Sequence, residues 1–426
     1  MKILIKNAAV INYDKEEKCD IYIVDGKIVK MREGLKEEAD KVIDASGKMV
    51  LPGLIDIHCH LRDPGYEYKE DIKNGSRSAA KGGFTGIVAM PNTKPVVDNK
   101  SVVEYILNKA EKESVVHVYQ TGTISKGLEG KELSEMGRMK EAGIVAVTDD
   151  GKPVMDSGLM KKAMIYADML KIPVISHAED LTLLEGGAMN EGFTATCLGI
   201  KGITRAAEET MTSRDIILAK TTGTPVHITH VSTKNAVEMI RTAKKQGVKV
   251  TADSCPHYFS LTDKACEGFN TNAKMNPPLR EEEDRLAIIE GLRDGTLDMI
   301  GTDHAPHHRD EKNCEFDKAL NGIVGFETAF ALAYQILVEE NGFHIKDLVK
   351  LMSYQPSNLL GIEGGKLAEG KKADIILIDC SKDWVCDPDS FASKSKNSPF
   401  GGWSFHVKVT DVIVNGKIVI ENEMFA

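Results

Sequence analysis

Between residues 49 and 303 of this 426-residue chain, short β-branched runs alternate with segments of helical periodicity, and that alternation limits the possible folds more than any other feature. The runs are Met49 to Ile57, Phe84 to Met90, Val115 to Thr121, Gly143 to Thr148, Ile172 to His177, Pro225 to His230, Val248 to Asp253 and Asp298 to Asp303. Helical stretches follow nearly every one, among them Ser101 to Lys112, Gly158 to Leu170, Thr233 to Gln246 and Glu282 to Leu292. Eight βα units over roughly 310 residues predict a (β/α)8 barrel, an α/β architecture of about 250 residues or more. An open doubly wound sheet is the competing arrangement, but no GxGxxG turn follows the first run, and Gly82-Gly83 precedes a strand instead. The spare length falls after His177 and after Asp253, where loops could cover a site.

The two ends of the chain resemble each other. Ile23-Val24-Asp25-Gly26-Lys27-Ile28-Val29 recurs as Ile413-Val414-Asn415-Gly416-Lys417-Ile418-Val419. Asp-Gly and Asn-Gly between alternating apolar residues signal tight hairpins, because both central turn residues take positive φ. A small β-sandwich built from residues 1–50 and 365–426 would bury both alternating faces, leaving 51–364 as the barrel.

Composition narrows the function. Fifty-four Lys and Arg against 64 Asp and Glu give a formal charge of −10, so no basic stripe is available for nucleic-acid phosphates. Apolar stretches such as Ile375 to Ile378 are strand-sized, far below the roughly 20 residues that span a bilayer. No apolar segment of about 7 to 15 residues follows Lys6, and the eight cysteines form no CxxC pair. A cytoplasmic protein with no membrane partner is expected.

The predicted strand ends carry the chemistry. In such barrels reactive groups sit at the C-terminal ends of the strands. His58-Cys59-His60 ends the first, and residues two apart on a strand share a face. Strands five and six end in His177 and His230, and the eighth ends in Asp303. Convergent imidazoles and carboxylate are costly to bury without specific partners, and the combination points to a cation such as zinc. Thr148-Asp149-Asp150-Gly151-Lys152 ends the fourth strand, where a carboxylate could bridge two metals or simply form a solvated turn. Arg62 and Asn92, just past strands one and two, could grip a carboxylate, and His307 could add an anion contact. Arg62 could equally pair with Glu67 or Glu70, and His304, His307 and His308 could be plain loop residues.

The segments Asp56-Ile57-His58-Cys59-His60-Leu61-Arg62-Asp63-Pro64 and Gly301-Thr302-Asp303-His304-Ala305-Pro306-His307, with Lys312 beyond, resemble the two signature segments of dihydroorotases. The resemblance covers essentially the whole chain and is closest to the bacterial class I type of the amidohydrolase superfamily. It implies metal ligands at His58, His60, Asp150, His177, His230 and Asp303, with one or two Zn2+ per subunit and Asp150 bridging if there are two. Substrate contacts are implied at His60, Arg62, Asn92, Asn276 and His307, with more from Asn321 and Gly322. Two departures stand out: Cys59 replaces an aliphatic residue, and Ala319-Leu320-Asn321-Gly322 lacks a proline and a larger apolar residue common in relatives.

The implied reaction is the reversible cyclisation of N-carbamoyl-L-aspartate to L-dihydroorotate and water, the third step of pyrimidine biosynthesis. A metal-bound hydroxide would be the nucleophile and Asp303 the general acid and base. A homodimer and an association with aspartate transcarbamoylase belong to the same implication. The alternatives are a hydantoinase, dihydropyrimidinase or allantoinase, whose substrates lack the ring carboxylate, or an inactive structural partner of the transcarbamoylase.

Overall fold

The computed structural model describes all 426 residues. Its first five strands, β1 (Lys2–Ile11), β2 (Glu16–Val24), β3 (Lys27–Arg32), β4 (Lys41–Asp44) and β5 (Met49–Pro52), belong to a sheet at the chain's ends. Eight barrel strands come next, interrupted by one small insertion. They are β6 (Leu54–Cys59), β7 (Phe84–Ala89), β8 (His117–Gly122), β9 (Ala146–Thr148) and β10 (Val174–Ser176), then, after the two-stranded insertion β11 (Met189–Asn190) and β12 (Gly202–Ile203), β13 (Val226–Ile228), β14 (Val250–Ser254) and β15 (Met299–Ile300). The remainder comprises β16 (Ile375–Asp379), the pair β17 (Trp384–Val385) and β18 (Ser404–Phe405), then β19 (Lys408–Val414), β20 (Lys417–Glu421) and β21 (Met424–Phe425).

Every neighbouring pair from β6 to β15 is parallel. The ring closes where Cys59 of β6 bridges His304, just past β15. Strands covered on both sides are apolar nearly throughout, which explains why their runs stand out in the sequence. Ile55, Ile57, Val88, Met90, Ala146, Ile175 and Met299 form one buried cluster, while a much larger one includes helix residues such as Val103, Met160 and Val237. The crossover helices begin and end close to the predicted positions. Lys234–Lys245, for example, is capped by Thr233, whose hydroxyl accepts from the Ala236 amide at 3.2 Å.

One expected strand proves to be two. Met49 to Ile57 breaks at Gly53, so β5 pairs with β1 and β16 while β6 opens the barrel. Only glycine fits at the break: a Cβ at residue 53 would lie 2.0 Å from Thr85 Oγ1. The sandwich expected of the termini is hydrogen-bonded as one nine-stranded sheet, order β21-β20-β19-β16-β5-β1-β2-β3 with β4 on β1. Its apolar faces meet around Ile3, Ile5, Ile21, Ile23, Val50, Ile375, Leu377 and Ile413, and the repeated turns touch. A Cβ at Gly416 would lie 2.6 Å from Gly26 Cα. No helix is long and apolar enough to cross a membrane.

Candidate active site

Most of the strands are shorter than their apolar runs, so His177, His230 and Asp303 lie just beyond β10, β13 and β15. There the backbone bends sharply. His230 (φ 42°), Asp303 (φ 46°) and Arg62 (φ 61°) all adopt the left-handed region that L-residues with a Cβ normally avoid. Backbone strain of this kind persists where surrounding contacts hold it; three of the twelve non-glycine residues with positive φ are these, and Arg62 lies close enough to Asp303 and Asp150 to feel their charges.

Each imidazole of the first pair is fixed from behind. His58 Nδ1 shares a hydrogen bond with Thr229 Oγ1 at 2.9 Å, and His60 Nδ1–H donates to Asn92 Oδ1 at 2.9 Å. Both Nε2 atoms therefore face inward. His58 Nε2 lies 3.3 Å from Asp150 Oδ1 and 3.5 Å from Asp303 Oδ1, and His60 Nε2 lies 3.4 Å from Asp150 Oδ2 and 3.1 Å from Asp303 Oδ1. On the other side His177 Nδ1 is 3.4 Å and His230 Nε2 3.6 Å from Asp150 Oδ1. The two groups of donors, His58–His60–Asp150 and Asp150–His177–His230, thus share one carboxylate.

Adjacent residues separate cleanly at the end of β9. Asp149 turns away and accepts from the Ile124 amide at 2.7 Å and the Ser125 amide at 3.0 Å. Burial pushes its carboxyl up to about 6 against those bonds and the Ser125 hydroxyl. Asp150 is equally buried, yet the imidazoles of His58, His177 and His230 outweigh burial and hold it well below the carboxylate range. Burial likewise opposes charge on His58 and His177, but Asp150 with Asp303, and Asp150 with Glu179, raise them to about 9 and about 10. Asp303 is held low by His58, His60 and His230 against its burial.

The donor set fits a divalent cation. His58 Nε2 is buried with no hydrogen-bond partner, and His177 Nδ1 meets His230 Nε2 at 2.7 Å, where at most one proton fits between two ring nitrogens. Mixed imidazole and carboxylate donors, with His58, His60 and His177 each oriented by an outer partner, are what a borderline metal selects.

Glu179, two residues past His177 and 6% exposed, was not anticipated. His177 Nε2–H donates to its Oε2 at 3.3 Å, and Asn276 Nδ2 donates to its Oε1 at 2.9 Å. This carboxylate therefore joins a candidate metal ligand to a candidate substrate contact. The His-x-Glu spacing, the same as His58-x-His60, was the available signal.

Beside the clustered imidazoles lies a cationic corner. Arg62 is held by its Nε–H on the Pro306 carbonyl at 3.2 Å and lies 3.4 Å from the His307 ring. His307 Nε2–H donates to the Asn321 carbonyl at 2.7 Å, and Lys69 Nζ lies 3.5 Å from its Nδ1. Burial, then Arg62, Lys69 and Lys312, push the His307 pKa down to about 2, so this ring is neutral. Lys312 holds the adjacent turn, donating to the carbonyls of Lys274, Leu320 and Gly322 at 3.2, 2.8 and 3.1 Å. The Gly322 amide is taken by the Lys274 carbonyl at 3.0 Å, and the Asn321 side chain is exposed. At Gly322 (φ 136°) a Cβ would stand 2.7 Å from Ala305 Cβ, so the turn needs glycine.

A parallel barrel with imidazoles and carboxylates converging beyond its strand ends, and a sheet-rich terminal unit, defines an amidohydrolase fold. L-Hydantoinase from Arthrobacter aurescens superposes with a TM-score of 0.91 at 26% identity, covering 100% of this chain and 97% of that one. D-Hydantoinase from Thermus sp. gives 0.87 at 26% identity over 100% and 96%. A family model described as Dihydro-orotase-like matches residues 47–236. The dihydroorotase of Acetivibrio thermocellus is 56% identical over 405 residues, 95% of each chain. That of Ruminiclostridium cellulolyticum is 54% identical over 426 residues, 100% of both. The chain belongs to the dihydroorotase family.

Proposed function

We propose that this chain interconverts N-carbamoyl-L-aspartate and L-dihydroorotate, with His58, His60, Asp150, His177, His230 and Asp303 holding one or two Zn2+ and Asp150 shared if there are two. The supporting observation is the juxtaposition of two unlike corners: a carboxylate ringed by four imidazoles, and beside it Arg62 with a neutral His307. When bound, such a cation supplies Lewis acidity, making water nucleophilic at neutral pH and polarising a carbonyl oxygen.

The remaining work falls to the protein. Arg62 grips the ring carboxylate as a planar fork, with Asn92 and His307 fixing its orientation and Asn276 supporting the far side of the ring. In ring opening, water adds to the amide carbonyl carbon and the carbon–nitrogen bond breaks. Asp303, ionised and with one oxygen already 3.1 Å from His60, accepts the water's proton and passes it to the departing ring nitrogen. Closure runs in reverse from protonated Asp303, consuming one proton and releasing water, so acid favours the ring. Asn321 and Gly322 serve through their backbone, and the Gly322 groups already engaged would hold the turn rather than the substrate. A homodimer and contact with aspartate transcarbamoylase rest on the family resemblance alone.

The test is an assay of the metal-loaded protein on dihydroorotate, dihydrouracil, hydantoin and allantoin, with a chelated control. Turnover of dihydroorotate that disappears on chelation supports the proposal; preference for an uncharged ring overturns it.

A further inference from the structure

Asn397 lies far from both signature segments in the sequence, yet it is 4% exposed and both polar atoms of its side chain bond to the cationic corner. Its Nδ2 donates to the Gly322 carbonyl at 2.9 Å and the Ala305 carbonyl at 3.2 Å, and its Oδ1 accepts from the His307 amide at 3.2 Å. Its own carbonyl accepts from the Val324 amide at 3.0 Å. One side chain thereby ties residues 305–307 to residues 322–324, the two limbs of the turn that presents His307.

The neighbouring residues grip the opposite loop, which follows Arg62. Ser395 Oγ donates to the Lys69 carbonyl at 2.7 Å, Lys394 Nζ to the Glu67 carbonyl at 2.7 Å, and the Ser393 hydroxyl to buried Glu70. Lys69 in turn reaches His307, and it pairs with Glu311 at 2.9 Å. Residues 393–397 therefore form a strap across two loops that come from opposite ends of the barrel sequence.

We propose that Asn397 is a positioning residue for substrate binding, and that the strap sets the spacing between Arg62 and His307. The inference rests on the reading of those two residues as carboxylate contacts. A planar fork tolerates little misplacement, so an error at this corner weakens capture of the carboxylate more than it slows the chemistry beside Asp150. Alanine at 397 leaves the His307 amide and the Ala305 carbonyl unpartnered; aspartate keeps the acceptor but sets a negative charge against two carbonyl oxygens.

The experiment measures KM and kcat for dihydroorotate in the full-length, metal-loaded protein carrying Asn397→Ala, Asn397→Asp or Ser395→Ala, with metal content determined in parallel. Expected are a KM raised about tenfold or more in both Asn397 variants, kcat within about threefold and unchanged metal content. Ser395→Ala should give a smaller rise of the same kind, and it decides the matter if the Asn397 variants do not fold. In a His307→Ala background, Asn397→Ala should add little further to KM, because both changes act through one contact. An unchanged KM, full additivity with His307→Ala, or a parallel fall in kcat and metal content overturns the inference. If wild-type protein does not turn over dihydroorotate, the proposed function falls first and takes this inference with it; an active wild type with an indifferent Asn397→Ala removes the strap alone.

Discussion

The candidate metal corner around Asp150 and the candidate carboxylate corner around Arg62 and His307 lie side by side but are constructed differently. Around Asp150 the groups are side chains at the ends of barrel strands, three of the four imidazoles steadied by one neighbour, Thr229, Asn92 or Glu179. Around Arg62 and His307 the geometry is set by loops, backbone carbonyls and a strap from near the other end of the chain. The first arrangement suits chemistry that tolerates no movement, and the second suits recognition, where loops can vary without disturbing the reacting centre. Damage to the first corner should therefore appear in turnover and metal content, and damage to the second in KM.

The largest effect is expected at Asp303. Asp303→Asn should lower turnover in both directions by about 10³-fold or more while the chain still folds, and steady-state assays in each direction check this; a variant keeping a tenth of the rate removes the proton-transfer role. Next comes Arg62→Lys, which should raise KM for dihydroorotate by roughly 10- to 100-fold because an ammonium cannot reproduce the fork. An unchanged KM would take Arg62 out of the site. Glu179→Gln probes the seam between the corners: metal affinity should fall about tenfold, read by competition with a chromogenic chelator, with a smaller rise in KM through Asn276.

The smallest effect concerns the anchor of the strap. Glu327 accepts from Ser78 Oγ and the Ala392 amide, both at 2.7 Å, and burial pushes its carboxyl from 4.5 up to about 7 against those bonds. Below pH 4.5 both folded and unfolded chains hold this proton. As pH rises from there toward 7 the unfolded chain loses it first, so folding stability declines, and above about 7 the loss is constant. Glu327→Gln cannot ionise and should gain about 1–2 kcal/mol on wild type between pH 5 and pH 8, measured from urea midpoints. No difference between the two pH values would remove that penalty.

What the sequence made legible follows the same division. The barrel shows because parallel strands covered on both sides leave apolar runs at regular intervals, and His58 with His60 shows because strand residues two apart share a face. Asp149 and Asp150 are chemically identical neighbours; only their surroundings, Ser125 for one and four imidazoles for the other, separate their environments, and family resemblance rather than local pattern pointed to Asp150. The need for glycine at residue 53, where the run breaks, depends on Thr85 approaching from another strand. Asn397 carries no local signal at all, since its side-chain partners lie 75 to 92 residues away. Periodicity reports what the local backbone decides, and it is silent where tertiary contacts decide.

The division of labour is tested most directly by the dissociation constant of dihydroorotate for metal-loaded Asp303→Asn, measured by calorimetry. If chemistry and recognition are separate, the variant should bind dihydroorotate with a Kd close to the wild-type KM while turnover is lost. Loss of binding together with turnover, at full metal content, would contradict the account.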